Sequence, residues 1–579
     1  MLRWLFPLQC LLLALGLTWP APARFFSEAV GNVEGDGVKH LWTLWWMRAE
    51  ALGGAAGLRT TLVNFPQGIE LYPIEPLNGL LGLLLLPLDP IPLSNFLAIF
   101  HLFLLGLCAG WLGQIVSERP LGVFVAGALA QGSAFAAFTL DVGVGELRQT
   151  WWVPLGLACL VKARVSLEPR WFVALALALA GATLSCFYHG FFLATAVSLY
   201  ALATLRPWGR LLGGYALAVV LSVAVVVPVV RTFSATYAPT ERHGAASFGD
   251  WMAARYDLET YRGAALDPVE LLTPRNPSTV DRQTASYTGG RYLGFAALAL
   301  ALVGLVAAPR KAAPWLFVGA GGLFFSLGTV LWWDGAIVGG DQRVVLPFAT
   351  LNRALGWFAE PMNFPARFVV IPTMAIAVLG ALAARWKWAL PLVPVAIIEV
   401  AWGDLVPWPR ATITLPRVDA AAIAAADLPP GAVADLTAFT RAPSPGGGGG
   451  RSVLARLDPE SRTRAIAAQI ALDRPFSTIP IERVDYWGPQ GLEWTATLGL
   501  AKALDGEQVD AAALRESARL LAAEGYGAVV LTHGCQNGPP ASAAALDQAL
   551  GPRVRAACAT VWAVPPSVEG EPSEAGAAP

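Results

Sequence analysis

"GNVEGDGVKHLWTLWWM", residues 31–47, follows the first hydrophobic segment, and its reading decides the fold. Two acids, Glu34 and Asp36, sit in a glycine-rich turn, and a tryptophan-studded helix starts at once. From Val38 onward the apolar residues fall at 38, 41, 42, 45 and 46, the i, i+3, i+4, i+7, i+8 stripe of an amphipathic helix. Trp42, Trp45 and Trp46 give that stripe the rings that favour a membrane–water interface, with Lys39, His40 and Thr43 turned away from lipid. The helix is expected to lie on the membrane rather than cross it. Asp36 then stands at its N-terminal end on the membrane surface. Gly35 and Gly37 let the backbone bend there and let a substrate approach. The plain alternative is that Asp36 is an N-cap, satisfying free N–H groups.

The rest of the chain supplies the membrane. Of its 579 residues 55% are hydrophobic and 14% charged, far from a soluble balance. A net charge of −1 argues against nucleic acid as a partner. Apolar stretches long enough to cross a bilayer recur about eleven times. They run at 2–19, 92–116, 121–140, 151–167, 171–187, 190–205, 211–230, 292–308, 315–333, 368–384 and 389–404. The segment 78–88 is too short and reads as a juxtamembrane or re-entrant helix. Residues 1–23 also have the layout of a signal peptide. The long, proline-punctuated run favours its retention as a span.

Basic residues in alternate short loops set the orientation: Arg119; Lys162, Arg164 and Arg170; Arg206 and Arg210; Arg310 and Lys311; Arg385 and Lys387. By the positive-inside rule they put the N-terminus in the cytoplasm and the C-terminal domain outside. The expected division is a transmembrane domain over 1–404, with outer loops 20–90 and 231–291, and a soluble α/β domain over 405–579. In that domain "GAVADL" (431–436), "GAVVLTHG" (527–534) and "CATVWAV" (558–564) read as strands. Helical patterns fill 459–471, 509–524 and 541–550, and "PSPGGGGGR" (443–451) reads as a flexible insertion. Cys535 and Cys558 are the two cysteines outside the spans, each bordering a strand in a compartment that tolerates disulfides. A bridge between them is expected, with two unpaired thiols as the alternative. His533 and Cys535 have no second ligand pair, so zinc is not expected.

An acid in a long first outer loop, directly after the first span and before an interfacial helix, resembles the GT-C superfamily of membrane glycosyltransferases. "FPQGIELYPIEPLNGLLGLLLLPL" (65–88), "WWVPLGLACLVKAR" (151–164), "SYTGGRYLGFAALALALVGL" (286–305) and "NFPARFVVIPTMAIAVLGALAA" (363–384) look like a bacterial subgroup of these proteins. The resemblance implies a sugar donor on a polyprenyl phosphate, used at the outer face of the cytoplasmic membrane. It also implies a first-loop carboxylate at the reacting centre. Carried onto this chain, that role falls on Asp36, with Glu34 as the second choice. It is either a general base or part of a divalent-cation site holding Mg or Mn. The second outer loop, "DVGVGELRQTWW" (141–152), offers Asp141, Glu146 and Arg148 but no tight acid-x-acid pair, which weakens the metal version. Each of these three could equally be ordinary loop solvation.

A phosphate carrier needs cations at the outer interface. Arg148, His189, Arg291 and Arg367 fall at outer ends of spans, beside Lys39 and His40. Basic side chains at span ends also snorkel without any function. Glu399 lies inside the last span, where an ionisable group is costly and its partner is not readable. His243 and the run 250–263 could form a lid. Two other readings stay open: a flippase or transporter of a lipid-linked substrate, and a non-catalytic assembly factor on the same fold.

Overall fold

The computed structural model describes residues 2–33, 35–52, 59–63, 65–66, 68–70, 75–204, 208–237, 265–273, 290–340, 342–355, 364–402, 408–416, 418–426, 428–437, 459–477, 492–504, 509–536 and 538–566. Glu34, His243, the run 250–263 and the insertion 443–451 lie outside them.

Helices occupy the apolar stretches because a chain in hydrocarbon must satisfy its backbone internally. They run Leu2–Leu17, Pro90–Ser117, Gly122–Gln131 with Ala134–Asp141, Trp152–Ser166, Pro169–Ser185, Phe187–Thr204, Trp208–Tyr237, Phe295–Ala307, Pro309–Ser326, Val370–Ala383 and Leu392–Trp402. By length and composition, five of the described helical segments can cross a membrane: Pro90–Ser117, Gly122–Asp141, Phe187–Thr204, Leu211–Pro228 and Pro365–Ala383. The short segment after position 75 is a helix, Pro76–Leu84, as its length required.

Compact units follow packing rather than the expected division. The first takes in residues 1–44 and most of 73–414; the second takes in 45–72 and 415–579. In the first, Ala29 and Val30 pair antiparallel with Ile413 and Thr412, so the chain just past the last helix belongs with the membrane part. In the second, Phe476 N–H donates to the Leu62 carbonyl, Phe65 N–H to Phe476, and the Tyr526 hydroxyl to Phe65. Residues 45–72 of the loop 20–90 are thereby built into the C-terminal unit.

That unit is a four-stranded sheet in the order Ala432–Asp435, Tyr526–Thr532, Ala559–Ala563, Val554–Ala556. The first pair is parallel and the others antiparallel. The two-residue period of a strand sorts its faces. Val529 and Leu531 meet helices 492–504, 511–523 and 544–550, while Ala528 and Val530 meet helix Pro459–Leu472. Cys535 and Cys558 are joined in a disulfide, 23 residues apart in sequence. Closing a loop of that size removes unfolded-state entropy and contributes about 3 kcal/mol. Replacing both cysteines by alanine is expected to lower the melting temperature of the purified protein by several degrees. A melt indistinguishable from wild type would mean that the strand pairing alone holds these ends.

Candidate functional site

The loop after the first helix meets the loop after helix Ala134–Asp141 backbone to backbone. The Asp36 N–H donates to the Val142 carbonyl at 3.1 Å, and a Cβ at Gly35 would lie 2.3 Å from that same oxygen. Gly37 packs on Gly143 and the Ile413 side chain. Protein rather than open space therefore lies against both glycines, the Val142 backbone at Gly35 and the Ile413 side chain at Gly37. The Asp36 carbonyl accepts from His40 N–H, so Asp36 does stand at the N-cap of helix Gly37–Leu52.

The expected interfacial helix is also corrected. Trp42, Trp45 and Trp46 are buried, as are Val38 and Leu41 of the same stripe and Leu44 beside it. His40 and Thr43 on the polar side are buried as well, so protein surrounds this stretch of the helix. Rings on such a helix pack against protein first; the amphipathic reading took only one face into account.

His40, expected to turn toward water and substrate, is buried at 3% exposure between two carboxylates. Its Nδ1 lies 3.0 Å from Glu75 Oε1 and its Nε2 lies 2.9 Å from Glu146 Oε2. The first is a hydrogen bond; the second is a close ion pair without hydrogen-bond geometry. Burial alone pulls the imidazole pKa down, but Glu146 and Glu75 outweigh it and hold it up at about 10. The sign follows from linkage. The raised group stabilises the fold fully below the free-imidazole range and loses that contribution only as pH climbs through about 10. Burial pushes Glu146 upward, yet His40 and then Lys39 bring it below the usual carboxylate range, against the opposing charge of Asp36.

Around this centre the structure gathers most of the expected residues. Lys39 Nζ is 3.1 Å from Asp36 Oδ1, both side chains a quarter exposed. Arg148 is buried; it donates to the Val30 carbonyl at 3.0 Å and feels Glu75 and Glu146. Burial draws its pKa down to about 10, so it remains a cation at neutral pH. His189 is buried, with Nε2 3.0 Å from the Glu146 carbonyl and Nδ1 without a hydrogen bond. The Arg367 guanidinium stacks on Tyr188 and Phe364 at 4.7 and 4.5 Å, close enough to His189 for its charge to be felt there.

Two residues go elsewhere. Asp141 is buried facing Arg410, whose Nε donates to the Leu17 carbonyl. Arg291 pairs with Glu270 at 2.6 Å and donates to the Ala265 carbonyl. Among the described residues no group of three or more His, Cys, Asp or Glu could hold a metal ion. Asp141 faces Arg410 and Glu146 faces His40, so these two acids are not turned to one common cation.

Sequence reasoning missed Glu75, Asn78, His101 and Trp151. Trp151 Nε1 donates to His101 Nδ1 at 3.1 Å, His101 Nε2 meets Asn78 Oδ1 at 2.6 Å, and Asn78 Nδ2 donates to Glu75 Oε2 at 2.6 Å. His101 carried a usable signal: it is an ionisable side chain inside the span 92–116, and such groups are functional or structural by default. Glu75, ahead of a proline that opens a helix, carried none.

No protein-family model matches the chain, and no curated protein does. Among solved structures, the arabinofuranosyltransferase AftD from Mycobacteria superposes with a TM-score of 0.50 over 98% of this chain, at 14% identity. Two structures of a mutant of that protein give 0.43 and 0.42. This chain spans 40% of the length of AftD. The likeness is one of fold alone: this chain shares the fold of the matched part of that structure. With its apolar helices, the chain is a multi-pass membrane protein.

Proposed function

We propose that this chain is a membrane glycosyltransferase that moves a sugar from a polyprenyl-phosphate-linked donor to an envelope acceptor at the outer face of the cytoplasmic membrane. Its eleven apolar helices would span that membrane, with the N-terminus inside and the C-terminal α/β unit outside. One observation carries the reading: on the shared fold, Asp36 of the first loop pairs with Lys39, and both lie within electrostatic reach of Glu146 from the second.

Asp36 takes the proton of the acceptor hydroxyl. The freed oxygen lone pair forms the new bond to the anomeric carbon, and the old carbon–oxygen bond breaks with its electron pair leaving on the carrier phosphate. Lys39 and Arg367 face the charge that builds on that phosphate, since pre-placed cations act most strongly where water is excluded. Arg148 and His189 shape the potential from below. No step is routed through a metal.

The test compares lipid-linked and envelope glycans by mass spectrometry in a deletion strain rescued with wild type or Asp36→Asn at matched expression. Wild type is expected to restore a missing sugar, and Asp36→Asn to restore less by about a hundredfold. Full rescue by Asp36→Asn reduces Asp36 to a helix cap and sinks this mechanism.

A further inference from the structure

We propose that Glu146 is a second carboxylate touching the acceptor sugar, and that His40, clamped by Glu75, is the positioning residue that aims it. This rests on the transferase reading and adds a residue pair to the same site.

The argument begins at Trp151, whose indole nitrogen can only donate. Its bond to His101 Nδ1 makes that atom an acceptor, so His101 carries its proton on Nε2 and donates to Asn78 Oδ1. The Asn78 amide nitrogen then donates to Glu75 Oε2. Glu75 thus receives at one oxygen from Asn78, which leaves Oε1 for the His40 Nδ1 proton. The three hydrogen bonds from Trp151 to Glu75 run one way, and Glu75 then accepts from both sides, from Asn78 at Oε2 and from His40 at Oε1. His40 Nε2 is left facing Glu146 Oε2 at 2.9 Å. With a carboxylate on each nitrogen, imidazolium is the form that satisfies both.

Two carboxylates face this ring, Glu75 ahead of helix Pro76–Leu84 and Glu146 from the second loop. Arg148 acts on both of them, Lys39 and Asp36 act on Glu146, and His189 meets the Glu146 carbonyl. The chain stops at Glu146. Its Oε2 is buried, while its side chain keeps 17% of its surface open. The quarter-exposed Asp36 and Lys39 lie within its electrostatic reach. A carboxylate held by a cation at one oxygen and still partly open to solvent is set to accept hydrogen bonds from sugar hydroxyls, which fixes the acceptor while Asp36 takes the proton.

Two arms test this separately from the transferase reading. The first needs no substrate: ring-nitrogen NMR on protein labelled only at its five histidines, with the His40 signal identified by its loss in His40→Gln. In wild type His40 is expected to stay doubly protonated at about pH 8.5, where a free imidazole is neutral. In Glu75→Gln, extracted as a monodisperse peak like wild type, it is expected to be neutral at that pH. A neutral wild-type His40 overturns the clamp. The second arm repeats the glycan rescue with Glu146→Gln and His40→Gln at matched expression. Each is expected to restore about a hundredfold less sugar than wild type. Full rescue by Glu146→Gln overturns the proposal while the transferase reading stands. If wild type itself restores nothing, the transferase reading fails, and with it the sugar contact.

Discussion

Gly143→Ala is expected to abolish glycan rescue and to lower the melting temperature, although residue 143 touches no substrate. Its φ is +72°, in the left-handed region, where a side chain costs about 1 kcal/mol. The larger effect is contact. A Cβ there would lie 2.6 Å from the Gly37 Cα and 3.0 Å from the Gly37 nitrogen, atoms of backbone with no rotamer to escape by. Overpacking of this kind costs about 1–3 kcal/mol more. Relief requires the first loop to lift off the second, carrying Asp36 away from Glu146. A displacement of about 1 Å at a reacting centre costs about a hundredfold in rate. Gly340→Ala is the control: its φ is +55°, but nothing lies within 4 Å of the new Cβ. That variant should melt slightly lower and rescue fully. If Gly143→Ala also rescues fully, backbone docking between the loops is not what sets the register of the two acids.

This pairing of loops explains how much of the site was legible. Asp36, Lys39, His40, Glu146, Arg148, His189 and Arg367 were readable because each is a polar group at the end of an apolar run. Topology alone brings such ends to one side of a membrane. Their roles were not readable. Glycines 35 and 37 look the same in sequence whether they admit a substrate or a neighbouring part of the protein, and only the positions of Val142 and Ile413 decide. His40 falls on the polar side of a one-stripe helical wheel. Its burial comes from Glu75 and Glu146, 35 and 106 residues away, whose charges make a buried cation affordable. The division into compact units was not legible for a related reason. Residues 45–72 sit between membrane helices in sequence, yet their backbone groups find partners in strands and turns beyond residue 470.

Glu399→Leu is expected to be among the most destabilising single changes in the membrane part. In helix Leu392–Trp402 the Glu399 carboxylate accepts the N–H groups of Phe295 and Ala296, at 2.8 and 2.9 Å, and the hydroxyl of Tyr292. The first amides of helix Phe295–Ala307 have no intrahelical acceptor, and hydrocarbon offers none. Leucine fills the volume but leaves two N–H groups and a hydroxyl unsatisfied, at about 1–3 kcal/mol each. Glu399→Gln keeps one good acceptor oxygen and should fall between. Thermal melts in detergent should rank wild type above Gln above Leu, with faster hydrogen exchange at Phe295 and Ala296 in the Leu variant. A Leu variant that melts like wild type would show that water reaches those amides. The same series bears on the transport alternative. An intramembrane acid that couples transport must release its partners during the cycle, so loss of its charge stops function without harming the fold. An acid that plugs a helix terminus behaves the other way round: Glu399→Gln lowers the melting temperature and leaves the restored sugar unchanged at matched expression.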